Sequence, residues 1–228
     1  MANKPESDKH GRSVLKSLEE LANRRNRFIK LTEEMISAYK GTMYPVDIFV
    51  IGAVKRAIST AAGFRLLVES WNMICARALL RMQIDTALRF SSVFLVKKPH
   101  DFVIRVLKGQ QINKLKDKDG NKMTDAYLVS KLAPEYSWLP VVYKNLSGYV
   151  HFSEHHLIDS IEHINDESRT VSWAITEEDR KFPEFSWAEV VACFNESSDI
   201  FMKYLKGWIF TKANPEIVAK IRKILKIK

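Results

Sequence analysis

The chain has 228 residues, 46% of them hydrophobic and 11% aromatic, with 36 Lys and Arg against 27 Asp and Glu for a net charge of +9. That length predicts one domain, residues 1–228, and that apolar content excludes a disordered chain. The positive excess fits an anionic partner such as RNA, DNA or nucleotide, and fits equally a basic protein with no such partner.

Residues 1–11 are polar and are expected to fray. Ser13 is a candidate cap for a helix to about Lys40, whose apolar stripe is Val14, Leu18, Leu21, Phe28, Met35 and Tyr39, with Gly41 as its stop. A second helix is predicted from Pro45 to about Trp71, with Gly52 and Gly63 marking close packing or a break. Residues 72–96 read as a third helix. Its apolar residues fall on every side, which places it at the centre of a fold. A short helix follows over about 101–108. Asp119-Gly120 marks a turn inside the polar stretch 109–122, and Thr124 opens another short helix to about Leu132.

Helical periodicity returns over 136–150 and then changes. Leu157–Ile164 and Arg169–Ile175 alternate as strands do, with Asn165–Ser168 as a turn, so one small β-hairpin is expected over about 157–175. Ser186 and Glu189 read as a capping box for a long helix to about Phe210, and Asn214-Pro215 opens a basic C-terminal helix within 213–228. The expected class is all-α: a bundle of six to eight helices with at most one hairpin.

Cys75 and Cys193 each lie in an apolar helical pattern and are expected to be buried free thiols, with no disulfide framework and no cysteine-rich zinc site. The first residues hold no apolar signal core. Runs such as Ile48–Val54 are far too short to span a bilayer, so a cytoplasmic, soluble protein is expected.

Three patterns bear on chemistry. Arg77, Arg81, Asp85 and Arg89 stand four apart on the third helix, a line that reads either as an internal ion network or as a phosphate-binding cradle. The second pattern is Tyr143-Lys-Asn-Leu-Ser-Gly-Tyr-Val-His151-Phe-Ser-Glu-His-His156, which holds three of the six histidines. His151, Glu154 and His155 match the H-x-x-E-H metal motif, but the change of periodicity argues that the helix ends here, so no metal site is expected. Lys144, Asn145, Ser147 and His151 form a second constellation. The imidazole would move a proton and the cation would stabilise developing charge on a phosphodiester. The bland alternative is a helix C-terminus whose histidines meet terminal carbonyls. Third, the last helix carries Lys220, Arg222, Lys223, Lys226 and Lys228, suited to a nucleic-acid backbone or simply to water. Asp117–Asn121 lacks the glycine and glutamate spacing of a calcium loop and reads as a turn. No phosphate loop, nucleophile elbow or dinucleotide fingerprint is present, and no cofactor is expected.

Lys144-Asn145, five intervening residues and His151, set in a helical bundle, resemble the motif of the HEPN superfamily (higher eukaryotes and prokaryotes nucleotide-binding). Lys144 stands where the family's catalytic forms carry arginine, whose planar bidentate grip lysine does not reproduce. Arg77–Arg89 followed by Ser147-Gly-Tyr-Val-His151 also looks like bacterial proteins of unknown function, some related to abortive-infection proteins. The resemblance covers about residues 70–160. It implies a homodimeric bundle that is either a metal-independent ribonuclease, with His151 moving the proton, Lys144 stabilising charge and Asn145 orienting, or a binder of nucleotide, RNA or protein. The alternative is a non-catalytic helical module that binds a protein or small ligand, with Arg77, Arg81, Asp85, Arg89 and His151 as an internal polar network.

Overall fold

In α1 (Arg12–Ser37) the buried residues Val14, Leu18, Leu21, Phe28, Leu31 and Met35 recur at three- and four-residue intervals, so one stripe faces inward. A computed structural model describes this helix and the rest of residues 9–224, with side chains to residue 221. The expectations for residues 1–8 and for Lys226 and Lys228 lie outside the described residues. Ser13 does not cap α1. Gly11 occupies that position, and its N–H donates to Glu184 Oε1 at 2.8 Å, so a distant carboxylate fixes where the helix begins. Tyr39, Lys40 and Gly41 then take left-handed φ values of 52°, 58° and 73°, which end the helix three residues before the expected point.

α2 (Pro45–Glu69) starts on its proline, with the Tyr44 N–H bonded to Asp47 at 2.8 Å. The helix is unbroken at both glycines. Gly63 serves close packing, since a Cβ there would lie 3.1 Å from Leu79. α3 (Met73–Ser91) is capped by the Asn72 side chain and runs on as a 3-10 turn to Phe94. It packs against α2 and against three helices farther along the chain: α5 (Asp125–Leu132), α6 (Leu139–Val150) and α8 (Glu184–Ala213). Cys75 is exposed, contrary to expectation, because Met73 and Ala76 take the inward side of the first turn and leave Cys75 facing out.

α4 (Pro99–Leu107) leads into a loop whose Asp117 carboxylate accepts the backbone N–H groups of Asp119 and Asn121 at 2.9 and 2.8 Å, and the Tyr127 hydroxyl. The anticipated turn is there, with Gly120 at φ 88°. Thr124 caps α5.

The segment after α6 departs from expectation. Glu154–Asp159 forms a short helix, α7, so His155 and His156 do not begin a strand. Ser153 decides this: its hydroxyl accepts the His155 N–H at 3.3 Å while its own N–H donates to His156 Nδ1 at 3.3 Å, a reciprocal cap. The hairpin is shorter than predicted, β1 (Ile161–Asn165) antiparallel to β2 (Thr170–Trp173), with Asn165 holding the turn through the Ser168 N–H at 2.9 Å.

Ser186 is not the cap of α8. Pro183 takes that position, and the Ser186 N–H is spent on the Pro183 carbonyl at 2.9 Å. α9 (Pro215–Ile224) follows after Asn214. The described residues thus form an all-α bundle of nine helices and one small hairpin. Its centre is aromatic: Phe64 stacks on Phe194 at 4.2 Å between centroids, and Phe90 meets Phe201 edge-on at 5.2 Å. No helix among the described residues is long and apolar enough to cross a membrane.

Candidate functional site

The arginine line of α3 is met by partners from four other elements. Arg77 bonds the Tyr149 hydroxyl, lies between the rings of Tyr149 and Phe182 at 4.6 and 4.8 Å, and stands 3.8 Å from Asp159. Arg81 lies 3.5 Å from the centre of the Tyr143 ring, bonds its hydroxyl, and reaches Asp125 at 3.6 Å and Asp85 at 3.9 Å. Arg89 pairs with Asp125 and, at 3.2 Å, with Asp85, whose other oxygen faces Arg56 at 3.8 Å. The ladder therefore ties α3 to α2, α5, α6 and α7.

The two tyrosines belong to the same network. Burial pushes the Tyr149 hydroxyl up to about 12, with Arg77 opposing the shift and Asp159 adding to it. Burial also raises Tyr143, against the pull of Arg81 and with help from Asp125. Both hydroxyls stay protonated at neutral pH, so they connect arginine to carboxylate and do not act as bases.

Beside Arg77 lies a cleft of about 240 Å³ between α3, α6, α7 and α8. Leu80, Val142, Leu146 and Val190 form its apolar surface; Arg77, Asn145, Tyr149, His155, Glu189 and Cys193 supply its polar groups. The His155 ring stacks on Tyr149 at 5.1 Å, with 9° between the planes. This close approach needs Gly148, where a Cβ would lie 2.2 Å from the His155 ring and 2.9 Å from Ser153 Oγ. Burial, with Glu189 adding to it, pushes the Cys193 thiol up to about 11, which makes it a poor nucleophile.

The second sequence constellation does not assemble. Asn145 lines the cleft, whereas Lys144, one step round the helix, is exposed. Ser147 donates its hydroxyl to the Tyr143 carbonyl at 3.0 Å. His151 lies just past the end of α6 with extended backbone, φ −113° and ψ 146°, and its side chain is exposed. The i, i+4 alignment of Ser147 with His151 requires helix through residue 151. The extended cap removes that alignment. Lys144, Ser147 and His151 line no part of the cleft, and His155 takes the place among the cleft residues that His151 was expected to hold.

Several site residues escaped sequence reasoning. Asp125 and Asp159 carry no local signal, since their arginines lie 36 or more residues away in the chain. Tyr143 and Tyr149 sit inside the singled-out segment, and their placement around Asn145 and Leu146 was a usable clue to an inward face. Among the described residues no three His, Cys, Asp or Glu side chains are placed to hold a metal ion. Against protein-family models, curated proteins and solved structures the chain finds no match.

Proposed function

We propose that this chain is a non-catalytic helical module that works by binding a protein partner, with the α3 arginine ladder as its internal brace. One observation carries the reading: Arg77 and Arg81 are each engaged by a tyrosine and by aspartate within the bundle and Arg89 by two aspartates, while Lys144 and His151 stand apart on the surface. A phosphate cradle requires guanidinium edges that are free of internal carboxylates, and proton transfer requires an imidazole beside the bound phosphate. Half-buried charges need partners, and the ladder supplies them. The contact surface is drawn from the arm that runs from α7 through the hairpin and from the residues that flank it: Ile164 and Trp173 on the hairpin are 56% and 57% exposed, and Phe152 before α7 and Ile175 after β2 are 82% and 94% exposed.

The test is incubation of the purified chain with single-stranded RNA, beside thermal melts of Lys144→Ala and His151→Ala. No cleavage is expected, and both variants should stay within about 0.5 kcal/mol of the parent, as exposed positions do. RNA cleavage by the parent that His151→Ala abolishes would replace this reading with the ribonuclease one.

A further inference from the structure

We infer that the arm of one copy docks on α9 of a second copy, and the reverse, in a closed two-fold dimer; this rests on the binding-module reading and names its partner. Charge is the first ground. The arm, residues 154–173, holds five Asp and Glu against one Arg, a net −4 in a chain of net +9, so the remainder carries +13. On the arm Glu162, Asp166 and Glu167 are all exposed.

The second ground is an uncovered apolar face. A bulge at Glu162 pairs Ile161 with Trp173 and Ile164 with Val171, so all four side chains lie on one side of the hairpin. β1 packs on β2 and on α7, and a two-stranded hairpin left to water is marginally stable.

α9 has the complementary character. Val218 and Ala219 line a groove with Trp208, which leaves Ile217 and Ile221, one turn apart, 47% and 44% exposed. Lys220, Arg222 and Lys223 lie alongside them in sequence. The ligand the arm calls for, an apolar strip with cations next to it in the sequence, is thus present in the same chain.

The two surfaces cannot meet within one molecule. The arm is rooted at the start of α8 and α3: the Asp179 N–H donates to the Trp71 carbonyl at 2.7 Å, and its carboxylate accepts the Met73 N–H at 2.8 Å. α9 leaves the other end of α8, whose 30 residues span about 45 Å. Two copies with antiparallel α8 helices bring each arm to the other's α9 at once, and such an arrangement closes. Each contact is small and rimmed by charge, so the dimer belongs to the weak class below about 1,200 Å² and responds to salt.

Sedimentation equilibrium of the full chain from about 1 to 100 µM tests this, the range in which weak interfaces form. A reversible dimer is expected at low salt, weakened at least tenfold when salt is raised to about 0.5 M. Lys220→Glu with Arg222→Glu, and separately Asp166→Lys with Glu167→Lys, should each give folded monomers. Mixing the two variants should restore dimer, because both contacts in the mixed pair are again complementary. A monomer at every concentration, a dimer that survives both variants, or a mixture that stays monomeric overturns the inference. So does a monomer whose α9 binds vesicles of anionic lipid, the other surface that a basic amphipathic helix suits. RNA cleavage by an intact dimer would overturn the non-catalytic reading and leave this interface standing.

Discussion

Asp47→Ala should be the most damaging single change in the bundle that leaves its apolar core intact. Asp47 and Lys212 are both fully buried, 2.9 Å apart. The same carboxylate accepts Trp208 Nε1 at 2.7 Å and the Tyr44 N–H at 2.8 Å, and Lys212 also donates to the Met35 carbonyl at 2.7 Å. Removing the carboxylate leaves an ammonium group facing one carbonyl, an indole N–H without an acceptor and the start of α2 without its cap. Breaking a buried pair from one side typically costs about 3–5 kcal/mol, so about 4 kcal/mol is expected. For a chain of this size that lowers the melting temperature by about 8–16 °C and the urea midpoint by more than about 1 M. Lys212→Met should cost less, since Trp208 and the Tyr44 N–H still hold the carboxylate. The double variant should be more stable than Asp47→Ala alone, because the stranded charge is gone. Urea denaturation of the four proteins measures all of this. An Asp47→Ala loss below about 1.5 kcal/mol, or a double variant less stable than Asp47→Ala, would refute the reasoning.

The ladder, the Asp117 loop and the two thiols give further tests. Asp125→Ala leaves Arg81 and Arg89 sharing Asp85 and should lower stability by about 1–2 kcal/mol in urea titrations, less than a fully buried pair because Asp125 is 36% exposed. A change under about 0.5 kcal/mol would show that the ladder is no brace. At Asp117, desolvation raises the pKa, but the Tyr127 hydroxyl and the N–H groups of Asn121 and Asp119 outweigh it and hold the carboxyl down to about 2. The unfolded value near 3.9 is higher, so the loop's stabilisation is complete above that pH and is lost as pH falls towards 2. An NMR titration of the carboxyl should therefore show a midpoint near 2, and a midpoint near 3.9 would contradict the hydrogen bonding. Iodoacetamide at pH 8 should modify exposed Cys75 and spare Cys193, whose thiol is pushed up to about 11; equal labelling by peptide mapping would show the cleft to be open to thiol chemistry.

Helices were legible in the sequence wherever one side of them is apolar over several turns. The stripe of α1, Val14 to Met35, is such a pattern, and Thr124 and Pro45 mark true starts because their roles are local. Ser13 and Ser186 misled because the position of a helix start was settled from outside the local sequence in one case, by Glu184 acting on Gly11, and by the preceding proline in the other. The short helix α7 hid behind the alternation of Leu157–Ile164, since six residues are too few to reveal a helical period. In the candidate site, the line Arg77–Arg89 could be placed on one face, but its partners Asp125, Tyr143, Tyr149 and Asp159 depend on how distant helices pack. His151 looked central because helical spacing was extended one residue too far.

The pairing of α1 with α8 has a consequence for synthesis. Arg24 meets Asp199 at 2.6 Å, Asn195 bonds the Ser17 carbonyl at 3.0 Å, and Phe28 packs on Phe201. Some 170 residues of chain separate these partners, and at about 5–20 residues per second a ribosome needs roughly 10–30 s to cover that interval. Throughout it the stripe from Val14 to Met35 lacks the helix that later covers it, and α2 is at hand as a partial substitute. Any stop codon before α8 yields a product whose first helix has α2, but not α8, to cover its apolar stripe.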